Sequence, residues 1–293
     1  MHESSLEYLR CVRCQSSLEL QRLKENSQIE EGFLLCKKCL LKFPIINKVP
    51  ILWDDFTSYL SNRPRLGGEF LTKVKSEKMH SYIKRTLGNL QKNLQDQSLI
   101  EQRWYNIYRQ NQKSQFYLKV RSCLDKISKH DIALEHGCSI GTVTKHLAKN
   151  HKLAFGIDKS YHAISEAKKS VQRNLDFFVA DSLEHPFGKT KFDLVVGLNL
   201  FELIEPKQFL KILASQIRKN GWFVISDPYD FDRGLKSVRE PLYEDSLRSE
   251  LSKIGFAIAK SAKKPSNILW NLKLHKRASL LYKVDLIFGR NLR

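Results

Sequence analysis

From residue 131 onward the chain repeats one pattern, a short apolar run followed by a helical segment. The runs are "DIALEH", "KLAFGID", "LDFFVAD", "FDLVVGLN", "GWFVISD", "GFAIAK" and "YKVDLIFG". Strands that are apolar nearly throughout are buried on both faces, so their alternation with helices predicts a parallel sheet covered by helices on both sides. Ligands of such sheets bind beyond the carboxyl ends of the strands. Acids stand at that end of the first three runs, Asp158 and Asp181 as the last residue and Glu135 one residue before it.

The first run leads into "ALEHGCSIGTVTKHL", residues 133–147, where Gly137-Cys138-Ser139-Ile140-Gly141 reads literally as the G-x-S-x-G of a hydrolase nucleophile elbow. Asp227 and His275 follow Ser139 in the order of a triad, yet nine histidines make such an order easy to meet by chance. A nucleophile elbow also needs several strands before it, and none of that kind precedes Ser139. The alternative is a tight turn that lets a ligand approach the backbone, followed by a helix from about Thr142 whose terminal N–H groups face the ligand. Seventeen residues past Gly141 the next strand ends at Asp158, where a carboxylate accepts both hydroxyls of a ribose. That acid does not by itself separate a dinucleotide from S-adenosylmethionine. The glycines, spaced G-x-x-x-G, depart from the dinucleotide pattern G-x-G-x-x-G.

Taken together, "ALEHGCSIGTVT", "AFGIDKS", "FFVADSLEHPF" and "FDLVVGLNLFELIEP" resemble, in order and spacing, the successive motifs of class I S-adenosylmethionine-dependent methyltransferases of the type 11 kind, over about residues 100–290. The resemblance implies an α/β, Rossmann-like seven-stranded sheet, mostly parallel with its last strand antiparallel. It places Glu135 near the methionine amino group, Gly137 and Gly141 beside the cofactor, Asp158 on the ribose, Asp181 with Ser182 at the adenine, and Asn199 facing the transferable methyl. Ser139 stands where the family usually has its middle glycine, so it is expected to flank S-adenosylmethionine, and its product S-adenosylhomocysteine, without acting as a nucleophile.

Ahead of this domain, Cys11 and Cys14 in "CVRC" and Cys36 and Cys39 in "CKKC" form two C-x2-C knuckles separated by 21 residues. Four thiolates from two knuckles complete a tetrahedral site with no open position, which describes structural rather than catalytic zinc. The alternation in "LKFPIINKVPILW" around Asn47-Lys48 predicts a hairpin. Residues 6–53 resemble the small zinc-ribbon proteins that activate tRNA and release-factor methyltransferases. Leu40 and Lys48 stand where those proteins commonly have glycine.

The net charge of +19 is uneven, because residues 61–130 hold 15 basic and only 5 acidic side chains. This segment lacks strand alternation and reads as helices; Arg63-Pro64-Arg65-Leu66-Gly67-Gly68 marks a linker, and Trp104 and Tyr108 are candidate lid residues. The expected organisation is a zinc ribbon over 1–60, a basic helical connector or lid over 61–130, and the methyltransferase domain over 131–293. No run reaches the roughly 18 apolar residues of a membrane span, and "MHESSLEYLRC" lacks a signal's basic and apolar regions, so a cytoplasmic protein is expected.

Methyl transfer from a sulfonium is an in-line displacement, so the protein mainly aligns the acceptor, and a base is needed only if the acceptor arrives protonated. Acceptor-side candidates are Asn199, Tyr229 with Asp227 and Asp230 in "SDPYD", and Trp270, His275, Lys276 and Arg277 in a loop expected over 262–281. "DPY" follows the fifth strand, not the fourth, and carries no nucleic-acid signal. Zinc-less relatives of the catalytic domain act mostly on small molecules, which favours a small-molecule acceptor. RNA is the alternative, because a zinc module ahead of such a domain also resembles ribosomal-RNA guanine methyltransferases, and the basic connector suits phosphate.

Overall fold

The computed structural model describes residues 1–91, 95–127, 130–170, 172–232 and 238–293. Its elements in chain order are β1 (Glu19–Glu25), β2 (Ile29–Leu35), β3 (Lys42–Ile46), β4 (Val49–Leu52), α1 (Phe56–Ser61), α2 (Pro64–Lys73), α3 (Glu77–Gly88), α4 (Gln97–Gln110), α5 (Gln115–Leu124), β5 (His130–His136), α6 (Thr144–Leu147), β6 (His151–Asp158), α7 (Tyr161–Ala167), β7 (Leu175–Ala180), β8 (Phe192–Leu198), α8 (Pro206–Gln216), β9 (Ile217–Asp227), α9 (Glu244–Lys253), β10 (Phe256–Ile258), β11 (Ile268–His275) and β12 (Ala278–Asn291). Two compact units result, one of Met1–Asn106, Ser139–Gly141 and Ile157–Gly188, the other of Ile107–Cys138, Thr142–Gly156 and Lys189–Arg293.

In the first unit β1 to β4 form an antiparallel meander. The hairpin forms where the alternation placed it, with Asn47 and Lys48 at φ 48° and 70°, the left-handed pair that a two-residue turn demands. Leu40 is also left-handed, at φ 57°, with its side chain 83% exposed. A leucine there costs about 1 kcal/mol that glycine would not. β4 then pairs in parallel with β7, Ile51 opposite Val179 and Leu52 opposite Ala180. The last ribbon strand therefore ends alongside the residue that precedes Asp181.

The expected linker at residues 63–68 is instead the start of α2. Pro64 occupies the first turn, where its missing N–H costs nothing, and Gly67 lies against Leu87, whose Cδ2 would stand 2.3 Å from an added Cβ. The glycine allows a close helix contact rather than a chain break.

Asp176 ties the amino-terminal segment to β7. It pairs with Lys168 and accepts from the backbone N–H of His2 at 2.9 Å and from Ser5 Oγ at 2.7 Å. Burial alone would raise its pKa, but the facing Lys168 ammonium and these donors hold it near about 2. A depressed carboxylate contributes stability above the unfolded value near about pH 4, lost as pH falls towards 2. Asp176→Ala is expected to cost about 3 kcal/mol in a denaturant melt at neutral pH, because it strands a buried ammonium, and to flatten the acid limb over that window.

In the second unit β5, β8 and β9 run parallel, and β12 lies antiparallel to β9. β10 and β11 each pair antiparallel with β12. Strands occur at all seven expected runs, and the last is antiparallel as the α/β reading requires. Asp227, the final residue of β9, pairs with Asp285, so residues 278–284 project beyond the carboxyl end of β9. β11 accompanies them, where a loop over 262–281 was expected. Its alternation in "ILWNLKLH" buries Trp270 and Leu272 and exposes Leu269, Asn271 and Lys273.

Candidate functional site

The four ribbon cysteines converge, with all their sulfurs within 4.8 Å of one another. Cys14 Sγ and Cys36 Sγ are 3.5 Å apart, and the Cys39 N–H points at Cys36 Sγ at 3.4 Å. Zn–S bonds of about 2.3 Å set tetrahedral sulfurs about 3.8 Å apart, so the donor set fits zinc and is far too open for a disulfide. Between Cys11 and Cys14, Arg13 makes a fork with Asp54, at 2.7 and 2.9 Å, which fixes the first knuckle to the segment that follows β4.

Also in the first unit, Asp158 ends β6 with its carboxylate held from two sides by the backbone N–H groups of Ser139, at 2.9 Å, and Ser160, at 2.8 Å. Burial raises its pKa, opposed by these donors and by the charges of Lys159 and Arg63. Ser139 has φ 47°, which explains why glycine suits this position. At Gly141, φ 72°, an added Cβ would stand 2.5 Å from the Phe177 ring. Asp181 pairs with Lys159 at 2.9 Å and accepts from the Leu183 N–H, and Ser182 beside it is buried.

In the second unit Glu135 is 3% exposed and accepts from Thr144 Oγ1. Gly137, φ 63°, lies against Leu200. Asn199, φ 55°, donates its N–H to Ser226 O at 2.7 Å, and its Oδ1 accepts from Ser226 Oγ at 2.8 Å. Asp227 accepts from the N–H groups of Phe201 and Tyr229, which binds the segments after β8 and β9 together. Burial, with Glu202 and Asp230 nearby, pushes its pKa up to about 7. Being 1% exposed and bonded at both oxygens, Asp227 serves as a clamp rather than as an open base.

Asn199 and Tyr229 are thus brought to neighbouring strand ends, while His275 sits exposed at the β11–β12 turn, accepting from the Arg277 N–H. The Tyr229 hydroxyl donates to Asp285, which Arg248 also grips with two bonds. Trp270 lies on a strand, 2% exposed, parallel to Tyr108 with ring centroids 6.1 Å apart and beside Phe116, Tyr117 and Tyr282. Tyr108 is therefore packed in an aromatic cluster, and Trp104 is half-buried. The helix expected from Thr142 is a single turn, Thr144–Leu147, too short to supply the terminal N–H array foreseen; the donor that the turn does offer, Ser139 N–H, is directed at Asp158. Asp227 and His275 are engaged elsewhere, so no hydrolase relay forms between them. Sequence reasoning missed Arg63 and Tyr59, which lie close to Asp158, because nearly 100 residues separate them from it in the chain.

Residues 134–225 match the family described as a methyltransferase domain. A probable cobalt-precorrin-6B C(15)-methyltransferase (decarboxylating) of Methanothermobacter thermautotrophicus is 28% identical over 110 residues, 36% of this chain; the match spans only 56% of that relative's length. Among solved structures, the complex between the Haloferax volcanii Trm112 methyltransferase activator and a methyltransferase superposes with a TM-score of 0.50 at 15% identity, over 64% of this chain and 94% of that one. At that identity the likeness speaks for the fold. Residues 134–225 therefore carry a methyltransferase domain, set on the parallel strands β5, β8 and β9 with β12 antiparallel at their side.

Proposed function

We propose that the chain transfers a methyl group from S-adenosylmethionine to a small-molecule acceptor, with one structural zinc in its ribbon. The observation that carries the cofactor assignment is Asp158, a strand-end carboxylate fixed by the N–H groups of Ser139 and Ser160 so that its remaining lone pairs can accept a vicinal diol. Glu135 takes the methionine amino group, Gly137, Ser139 and Gly141 supply close backbone approach, and Asp181 with Ser182 faces the adenine. The cofactor supplies an activated methyl on a good leaving group. The protein's part is alignment: Asn199, locked to Ser226, borders the methyl, and Asp227 and the Tyr229–Asp285–Arg248 ties hold the rim rigid. His275 is assigned to the acceptor side. Among the described residues no helix is long and apolar enough to cross a membrane, and a reduced four-thiolate site suits the cytoplasm.

The small-molecule acceptor is supported by the relative's name, that of a cobalt-precorrin methyltransferase. An RNA acceptor draws on one observation, a cleft of about 530 Å³ lined by Phe33, Lys42, Lys78, Tyr82 and Arg85 among others. Salt dependence decides between them. An RNA enzyme loses affinity steeply with salt, because each neutralised phosphate releases counterions. The account expects no tight RNA binding at low salt, and no change in cofactor affinity when Lys42, Lys78 and Arg85 become Gln. Salt-sensitive retention of cellular RNA that this triple variant abolishes would replace the small-molecule reading.

A further inference from the structure

Arg63 is 3% exposed, which is unusual for arginine, and its partners are specific. Its guanidinium lies 4.2 Å from the Tyr59 ring centroid and 5.8 Å from that of Trp53. Nε and Nη2 donate to Glu101 at 3.0 and 2.6 Å, and Nη1 donates to Tyr59 O at 3.3 Å. Tyr59, fully buried, donates its hydroxyl to Lys159 O at 2.9 Å, the carbonyl next to Asp158. Burying an arginine and a glutamate is costly, and apolar side chains of similar volume would fill the space with less penalty. Neither the ribbon nor the strand pairing requires a charge there. The carboxylate of Asp158 does benefit from one, since it adjoins the carbonyl that the Tyr59 hydroxyl holds and lies within the field of Arg63.

We propose that Arg63 is a positioning residue of the cofactor site: clamped by Glu101 and the Tyr59 and Trp53 rings, its buried charge keeps Asp158 in the ionised form that accepts a ribose diol. The proposal rests on the reading of Asp158 as the ribose ligand. The other groups facing Asp158 are the Lys159 ammonium, which is shared with Asp181, the Tyr59 hydroxyl, Glu101 on α4, and the N–H groups of Ser139 and Ser160. Glu101 opposes the ionised form, so Arg63 must outweigh it. Without the guanidinium, Asp158 takes up its proton at higher pH and cofactor affinity is lost earlier on acidification.

The test is calorimetric titration of the full chain with S-adenosylhomocysteine between about pH 5 and about pH 8. The variants are Arg63→Lys, the double variant Arg63→Met with Glu101→Leu, and Asp158→Asn. The double variant leaves no lone buried charge, so it is expected to stay folded and to retain its zinc. It is expected to match the wild type at the alkaline end, where Asp158 is ionised in both, and to bind up to about tenfold more weakly on the acid side, where the loss of binding is displaced upward by about one pH unit, while Arg63→Lys restores most of this. A folded double variant with wild-type affinity and an unshifted acid limb overturns the role of Arg63. Wild-type binding by Asp158→Asn overturns the ribose assignment and the proposal with it, and so separates the two failures.

Discussion

Replacing Asp158 by alanine is expected to weaken binding of S-adenosylmethionine about a hundredfold, close to 3 kcal/mol. Two contributions add. The ribose loses a charged acceptor for its hydroxyls, and charge-assisted bonds are the stronger kind. The N–H groups of Ser139 and Ser160 lose the carboxylate that fixes them, so the turn loosens as well. Asp158→Asn keeps an acceptor oxygen and is expected to fall between the two. Calorimetry on folded variants reads this directly, and an Asp158→Ala protein with unchanged affinity would remove the ribose assignment.

The second large effect is expected at the ribbon. Protein purified without chelator should carry about one zinc per chain, and Cys36→Ser or prolonged chelation should open residues 1–53 to protease before the rest of the chain. Thiolate coordination contributes folding energy outright, roughly 10 kcal/mol or more in small zinc modules, far beyond what a four-stranded meander can replace. The contacts of the Cys11–Cys14 knuckle, including the solvent-exposed Arg13–Asp54 fork, then lose their anchor. Elemental analysis that finds no metal would exclude the zinc assignment.

Some of this was legible in the sequence for identifiable reasons. The seven strands were visible because each is a contiguous apolar run; all six residues of β7 are buried, for instance. The four-cysteine cluster was visible because its members come in local pairs. The turn at Asn47-Lys48 was visible from alternation, although neither residue is glycine. β11 was hidden because its outward positions carry Asn271 and Lys273, which read as loop when their partner strand is unknown. The Gly67-Gly68 pair was misread as a break, since nothing local announces that Leu87 packs over Gly67. Trp270 and Tyr108 were read as facing a ligand, but their mutual stacking depends on a contact across more than 150 residues. Arg63 was hidden for the same reason. Strand-end acids announce themselves by position, whereas the groups that tune them arrive from distant segments.

The most direct test of the central claim is a pair of calorimetric titrations of the intact protein, one with S-adenosylmethionine and one with NADH. Saturable binding of S-adenosylmethionine, with S-adenosylhomocysteine competing for the same site and NADH giving no heat beyond dilution, is the result predicted. Saturable binding of NADH with none of S-adenosylmethionine would leave the α/β sheet standing and contradict the methyltransferase function.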